Sequence, residues 1–130
     1  MPNEIAPDTR CPCRSGGTWQ DCCGPVVSAA TAASTAERLM RSRYSAFVIG
    51  DVDHLVRSWH PDTRPAEITI VAGQTWTGLE IIANERGRPL DANGSVEFRA
   101  SYRRNGRDGV LAETSAFERH EGRWVYVGPC

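Results

Sequence analysis

Four of the five cysteines fall within the stretch Cys11-Pro12-Cys13-Arg14-Ser15-Gly16-Gly17-Thr18-Trp19-Gln20-Asp21-Cys22-Cys23. Two close pairs of thiols on either side of a short turn can hold a metal ion, form disulfides, or cycle between thiol and disulfide. A tetrahedral zinc ion takes four soft or borderline ligands and accepts thiolates at a Zn–S distance of about 2.3 Å. A segment this short can surround an ion only by doubling back. Pro12 stiffens its first half, and Ser15-Gly16-Gly17 offers the positive-φ turn that returns Cys22 and Cys23 to the first pair. The disulfide and redox readings are weaker, because the C-x-x-C spacing is missing and the adjacent Cys22 and Cys23 would make a strained bond. Four thiolates leave no coordination position for water, so a zinc ion held here is structural rather than catalytic.

The surroundings of this cluster favour metal chemistry. Residues 1–10 contain neither an apolar run nor a basic leader, so no secretory signal is expected, and no later stretch approaches the roughly 18 apolar residues that span a bilayer. A cytoplasmic protein is the expectation, and there thiols stay reduced. The 130 residues suffice for one domain with a core plus a small appendage; 40% are hydrophobic and 24% charged, as in ordinary soluble proteins. A formal net charge of −1 argues against nucleic acid as a partner. All fifteen basic residues are arginine, which excludes Schiff-base chemistry on lysine.

Positioning falls to the rest of the chain. Residues 1–25 form the knuckle, 26–33 read as a small-residue linker, and 34–130 as the domain proper. Ser34 with Glu37 has the form of a capping box. From there Ala36, Leu39, Met40, Tyr44, Phe47 and Val48 make one apolar helical stripe that stops at Gly50, with Arg38, Arg41, Ser42 and Arg43 on a solvated polar face. Asp51 caps a second helix whose stripe is Val52, Leu55, Val56 and Trp59, closed by His60-Pro61. The period then changes. Ile68–Val71, Trp76–Ala83, Ser95–Arg103, Val110–Glu118 and Trp124–Val127 read as strands, with turns at 104–109 and at Glu121-Gly122. The expected class is α+β: a helix pair packed on a curved antiparallel sheet, preceded by the zinc knuckle.

Two resemblances sharpen this expectation. The pattern C-P-C-x-S-G-x-x-aromatic-x-x-C-C resembles the SEC-C motif, the small zinc-binding element at the C-terminus of the SecA translocation ATPase. The resemblance implies that Cys11, Cys13, Cys22 and Cys23 are all metal ligands; Arg14 stands where glycine is common. The order of helix pair and bent sheet is similar to the cone-shaped domains named after nuclear transport factor 2 (NTF2). Together with Thr35 to Ala46, Trp59-His60-Pro61, Trp76-x-Gly78-Leu79, Val96-x-Phe98 and Gly122-x-Trp124-x-Tyr126, the knuckle makes residues 11–127 resemble the bacterial YchJ family.

The cone suggests a second seat of chemistry. Leu111, Glu113, Ser115 and Phe117 share one face of a strand, which sets a carboxylate among apolar neighbours when that face is inward. Glu113 is a candidate general acid or base, with His60 as a second candidate at the mouth; the competing reading pairs Glu113 with Arg99 or Arg43. Trp59, Trp76, Tyr102, Trp124 and Tyr126 are expected in the core or the pocket wall. The leading expectation is a non-enzymatic zinc protein whose knuckle meets a protein partner, ribosome- or chaperone-associated. The alternative is an enzyme or small-ligand binder working in the cone.

Overall fold

Alternation along the strands sets the architecture. Val96, Phe98 and Ala100 are buried while Glu97 and Arg99 between them are exposed, so one face of the sheet must be covered. A computed structural model, which describes residues 5–130, shows how. A 3-10 turn at Trp19–Asp21 leads into α1 (Cys23–Val27), α2 (Ala36–Ile49) and α3 (Val52–Arg57). Then come β1 (Gln74–Arg86), β2 (Asn93–Arg104), β3 (Arg107–His120) and β4 (Arg123–Pro129), in one antiparallel sheet of order β1-β2-β3-β4. The β2–β3 turn is Asn105-Gly106, with φ of 52° and 77°. Positive φ at both central residues is the turn whose twist matches the flanking strands. Irregularities at Trp76/Gly78, Ile81/Ala83 and Ala116/Phe117 bend the sheet, and α2 lies against β1, β2 and β4.

The helix boundaries differ from the sequence expectation by one residue where it matters. The cap of α2 is Thr35, not Ser34: its hydroxyl accepts from the Arg38 N–H at 3.1 Å. Glu37 is therefore free of the capping role. It accepts instead from Arg41 Nε at 2.9 Å and from Asn84 Nδ2 at 2.8 Å. Gly50 ends the helix at φ 79° and Asp51 caps α3 by accepting from the His54 N–H, both as expected. Trp59 lies beyond α3 and bridges to Tyr126.

Two expectations fail. Ile68–Val71 is irregular backbone, because β-branched residues make a strand only where a neighbouring strand accepts them, and none does here. The polar face of α2 is solvated only in part: Arg38 is exposed and Arg41 half-buried, but Ser42 and Arg43 are buried. Ser42 Oγ donates to Leu39 O at 2.7 Å and lies 2.8 Å from His54 Nε2, so buried polar atoms of the helix find partners inside.

The knuckle shares the core of the cone. Cys11, Cys13, Cys22, Cys23, Val26 and Val27 belong to one apolar cluster with Leu39, Met40, Phe98, Phe117 and Trp124. Within 26–33, Val26 and Val27 lie in α1 and are buried, Ala33 is buried, and residues 28–32 are exposed.

Candidate metal knuckle and cone pocket

Doubling back of the cysteine segment is achieved by short local bonds. Arg14 N–H donates to Cys11 O at 3.1 Å, Cys11 N–H to Gly17 O at 2.9 Å, and Gly17 N–H to Ser15 Oγ at 3.2 Å. Arg14 adopts φ 62°, the left-handed conformation that favours glycine, which is the physical meaning of glycine at this position in the motif. Its guanidinium makes use of the strained position: Nη2 donates to Thr77 O on β1 at 2.5 Å.

The four sulfurs are buried and lie within 4.8 Å of one another. Cys13 and Cys22 are 3.5 Å apart and Cys22 and Cys23 3.9 Å. Around a tetrahedral ion with 2.3 Å bonds, sulfurs sit about 3.8 Å apart, so the donor set can hold a metal ion with little adjustment. Outer partners are in place. Ser15 Oγ is 3.1 Å from the Cys22 sulfur, Ser45 Oγ 3.7 Å from that of Cys11, and Arg41 Nη1 3.8 Å from that of Cys13. Arg41 also donates to Cys13 O at 2.9 Å. Ser45 and Arg41 belong to α2, so the domain supplies the hydrogen bonds and positive charge that support thiolates. Thiols this close ionise unequally. Hydrogen bonds from Cys11 and then Cys23 hold Cys13 well below the usual thiol range, while Cys11 and then Cys13 push Cys23 up.

The second site is a cavity of about 160 Å³ between α2 and the sheet. Tyr44, Phe47, Trp59, Trp76 and Phe98 make its aromatic wall, and Leu111, 42% exposed, marks where it meets solvent. Glu113 points into it. Its Oε2 accepts from Tyr126 OH at 3.1 Å and from Ser115 Oγ in a short bond. Burial, followed by the neighbouring Glu113, pushes the Tyr126 phenol up to about 12, so it stays protonated and donates. Arg43 is held by Leu55 O at 2.9 Å and Ser58 Oγ at 2.7 Å, with its guanidinium 4.9 Å from the Trp59 ring centre and 4.6 Å from that of Tyr126. Desolvation lowers Arg43 to about 10, which leaves it charged at neutral pH.

The structure separates the two pocket candidates. Glu113 lines the cavity; His60 does not. The His60 ring instead places Nε2 3.1 Å from Glu118 Oε1, accepts from the Asp62 N–H at Nδ1, and packs 4.9 Å from the His120 ring. Among the described residues neither Arg99 nor Arg43 forms a direct ion pair with Glu113, whose partners are hydroxyls. Trp59, Trp76 and Tyr126 line the cavity, Trp124 is core, and Tyr102 packs edge-on against Trp76. Sequence reasoning missed the roles of Arg41, Arg43 and Ser45. Arg43 stands three residues after Met40 and four before Phe47, both in the cavity wall, and that spacing places it on their face.

Fold and site thus define a cone-shaped NTF2-like domain joined to a four-cysteine knuckle able to hold a metal ion. Residues 35–129 match the middle NTF2-like domain of YchJ. The chain is 49% identical over 121 residues to a UPF0225 protein of Streptomyces coelicolor, covering 93% of this chain and 94% of that one. A UPF0225 protein of Bordetella pertussis is 45% identical over 120 residues, covering 90% and 89%. Among solved structures, a SEC-C motif-containing protein from Rhodopseudomonas palustris superposes with a TM-score of 0.81 at 32% identity, over 90% of this chain and 94% of that one. Another, from Psychrobacter arcticus, gives 0.77 at 26% identity, over 96% and 84%. The chain belongs to the YchJ family.

Proposed function

We propose that the knuckle binds one zinc ion as a structural staple, in a reducing, cytoplasmic setting, and that the cone is a small-molecule binding domain. The observation that carries the first part is the convergence of four buried thiols with Ser45 and Arg41 of α2 around them. Four sulfur ligands suit zinc, which has no geometric preference of its own beyond what they impose. The cysteines of the knuckle pack into the core of the cone, while residues 6–10 and 14–16 together with Gln20 and Asp21 are exposed. The shared core supports a bracing role, and the exposed residues leave a surface that a protein partner can meet. Full-length protein purified under reducing conditions is expected to contain one zinc per chain by elemental mass spectrometry, and Cys22→Ser protein less than a tenth of that. Metal-free protein whose residues 11–23 keep dispersed amide resonances would refute the staple.

The second part rests on the cavity, which the aromatic side chains line rather than fill, and on the inward carboxylate of Glu113. No helix among the described residues is long and apolar enough to cross a membrane.

A further inference from the structure

The cavity carries enough chemistry to specify the class of molecule it takes, given the reading of the cone as a binding domain. At about 160 Å³ it is close to the size of the roughly 150 Å³ apolar protein cavity known to accept benzene. Its wall is almost wholly aromatic and aliphatic, so the body of the ligand must be apolar. Two charged side chains contribute, and they oppose each other. Arg43 is engaged on one side: Leu55 O and Ser58 Oγ hold its Nη1 and the rings of Trp59 and Tyr126 flank its guanidinium, while among the described residues Nε and Nη2 have no hydrogen-bond partner. Glu113 is half-engaged. Both of its donors, Ser115 and Tyr126, converge on Oε2, and among the described residues no protein donor reaches Oε1.

An anion entering this space would gain the remaining N–H groups of Arg43 but lie close to the Glu113 carboxylate, and would lose its own hydration. A cation would gain the carboxylate but lie close to a buried guanidinium, and would lose its own hydration. A neutral molecule escapes both costs. One hydrogen-bond donor on it would satisfy the vacant acceptor at Oε1, and a bond to a charged group contributes about 1.5–3 kcal/mol, or roughly ten- to a hundredfold in affinity.

We propose that the cone binds a small uncharged ring compound with a single hydroxyl or N–H group, its ring among Tyr44, Phe47, Trp59 and Trp76 and its donor on Glu113 Oε1. The assignment concerns the kind of ligand, not a reaction. Phenol, benzene, benzoate and benzylammonium share one ring and differ only in the head group, and so probe it directly. Each is titrated into the full-length protein at pH 7, with the indole N–H resonances of Trp59 and Trp76 as reporters. Phenol is expected to bind at least tenfold more tightly than the other three, and in Glu113→Gln its advantage over benzene should fall below threefold. Benzoate or benzylammonium binding most tightly, or benzene matching phenol, would overturn the ligand class while leaving the cavity a binding site. Unmoved Trp59 and Trp76 resonances with every probe would overturn the cavity reading itself. The wild-type ranking decides the matter even should Glu113→Gln fold poorly.

Discussion

Removing the metal from the knuckle should destabilise the whole molecule in one step, because the knuckle does not end where the cone begins. Cys13 is fully buried and carries Arg41 of α2 on both its sulfur and its carbonyl oxygen. Val26 and Val27, which follow the last cysteine directly, sit in the same core as Leu39 and Trp124. At a free zinc concentration a hundredfold above its dissociation constant, binding to the folded state alone stabilises it by about 2.7 kcal/mol. Should the knuckle also release the cone, uncovering the two valines costs about 1.5–3 kcal/mol each, an upper range. For a chain of this length each kcal/mol moves Tm by about 3–5 °C, so loss of the zinc-binding contribution alone should lower Tm by on the order of 10 °C, and release of the knuckle would lower it further. The assay is thermal melting of the full chain under reducing conditions, with and without a chelator, followed by far-ultraviolet circular dichroism and by tryptophan fluorescence. Both probes should report the same shifted transition. Separate transitions, or an unchanged Tm after verified zinc loss, would refute the shared core as the means by which the staple acts.

Two further outcomes follow from single side chains. Arg14 combines a left-handed backbone, which strains a non-glycine residue by about 1 kcal/mol, with a bond to Thr77 O that contributes about the same. Arg14→Gly should therefore be close to neutral in urea unfolding, whereas Arg14→Ala, which keeps the strain and loses the bond, should cost about 1 kcal/mol. His54 is buried against Ser42, and desolvation, then Arg57, then Arg43, lower it to about 3 from an ordinary 6.5. Its folded-state value lies below the unfolded one, so the unfolded chain binds the extra proton and stability falls as pH drops from 6.5 towards 3. Against a His54→Gln reference, the stability difference should decline by about 1 kcal/mol per pH unit between pH 6 and 4, measured by urea unfolding; a flat difference would contradict a buried neutral imidazole.

Much of this was legible in the residues, and the reasons differ by element. The cysteine cluster declared itself because its ligands are local: positions 11, 13, 22 and 23 meet through a turn written in adjacent residues. The strands β2 and β3 were readable because their neighbours in space are also neighbours in sequence, joined by Asn105-Gly106. Ile68–Val71 misled because propensity does not reveal whether a partner strand exists. His60 misled for a related reason: its position after α3 is local information, but its partners Glu118 and His120 arrive from the far end of β3. The inward aim of Glu113 could be read from the alternation of its strand, yet Tyr126 comes from β4 and Arg43 from α2.

The deepest misreading, the solvated face of α2, explains how so short a helix serves both sites. An amphipathic helix on a sheet needs one apolar stripe; Arg43 stands on the face of Met40 and Phe47, and Ser42 falls outside it. They are buried because α2 is covered on more than one side. The sheet covers the flank of Met40, Tyr44 and Phe47; α3 covers Ser42 and Arg43 through His54, Leu55 and Ser58; the knuckle covers Arg41 and Ser45. Polar residues can be carried inward only where a partner meets them, and two flanks supply one: α3 gives an imidazole to Ser42 and a carbonyl with a hydroxyl to Arg43, and the knuckle gives sulfurs to Ser45 and Arg41. Tyr44 borders both the pocket and the cleft between knuckle and sheet, with Trp76 beside it. The cysteine knuckle and the cone pocket are therefore built on adjoining flanks of the same fourteen-residue helix, α2, and Tyr44, which borders both, couples the packing of one to that of the other.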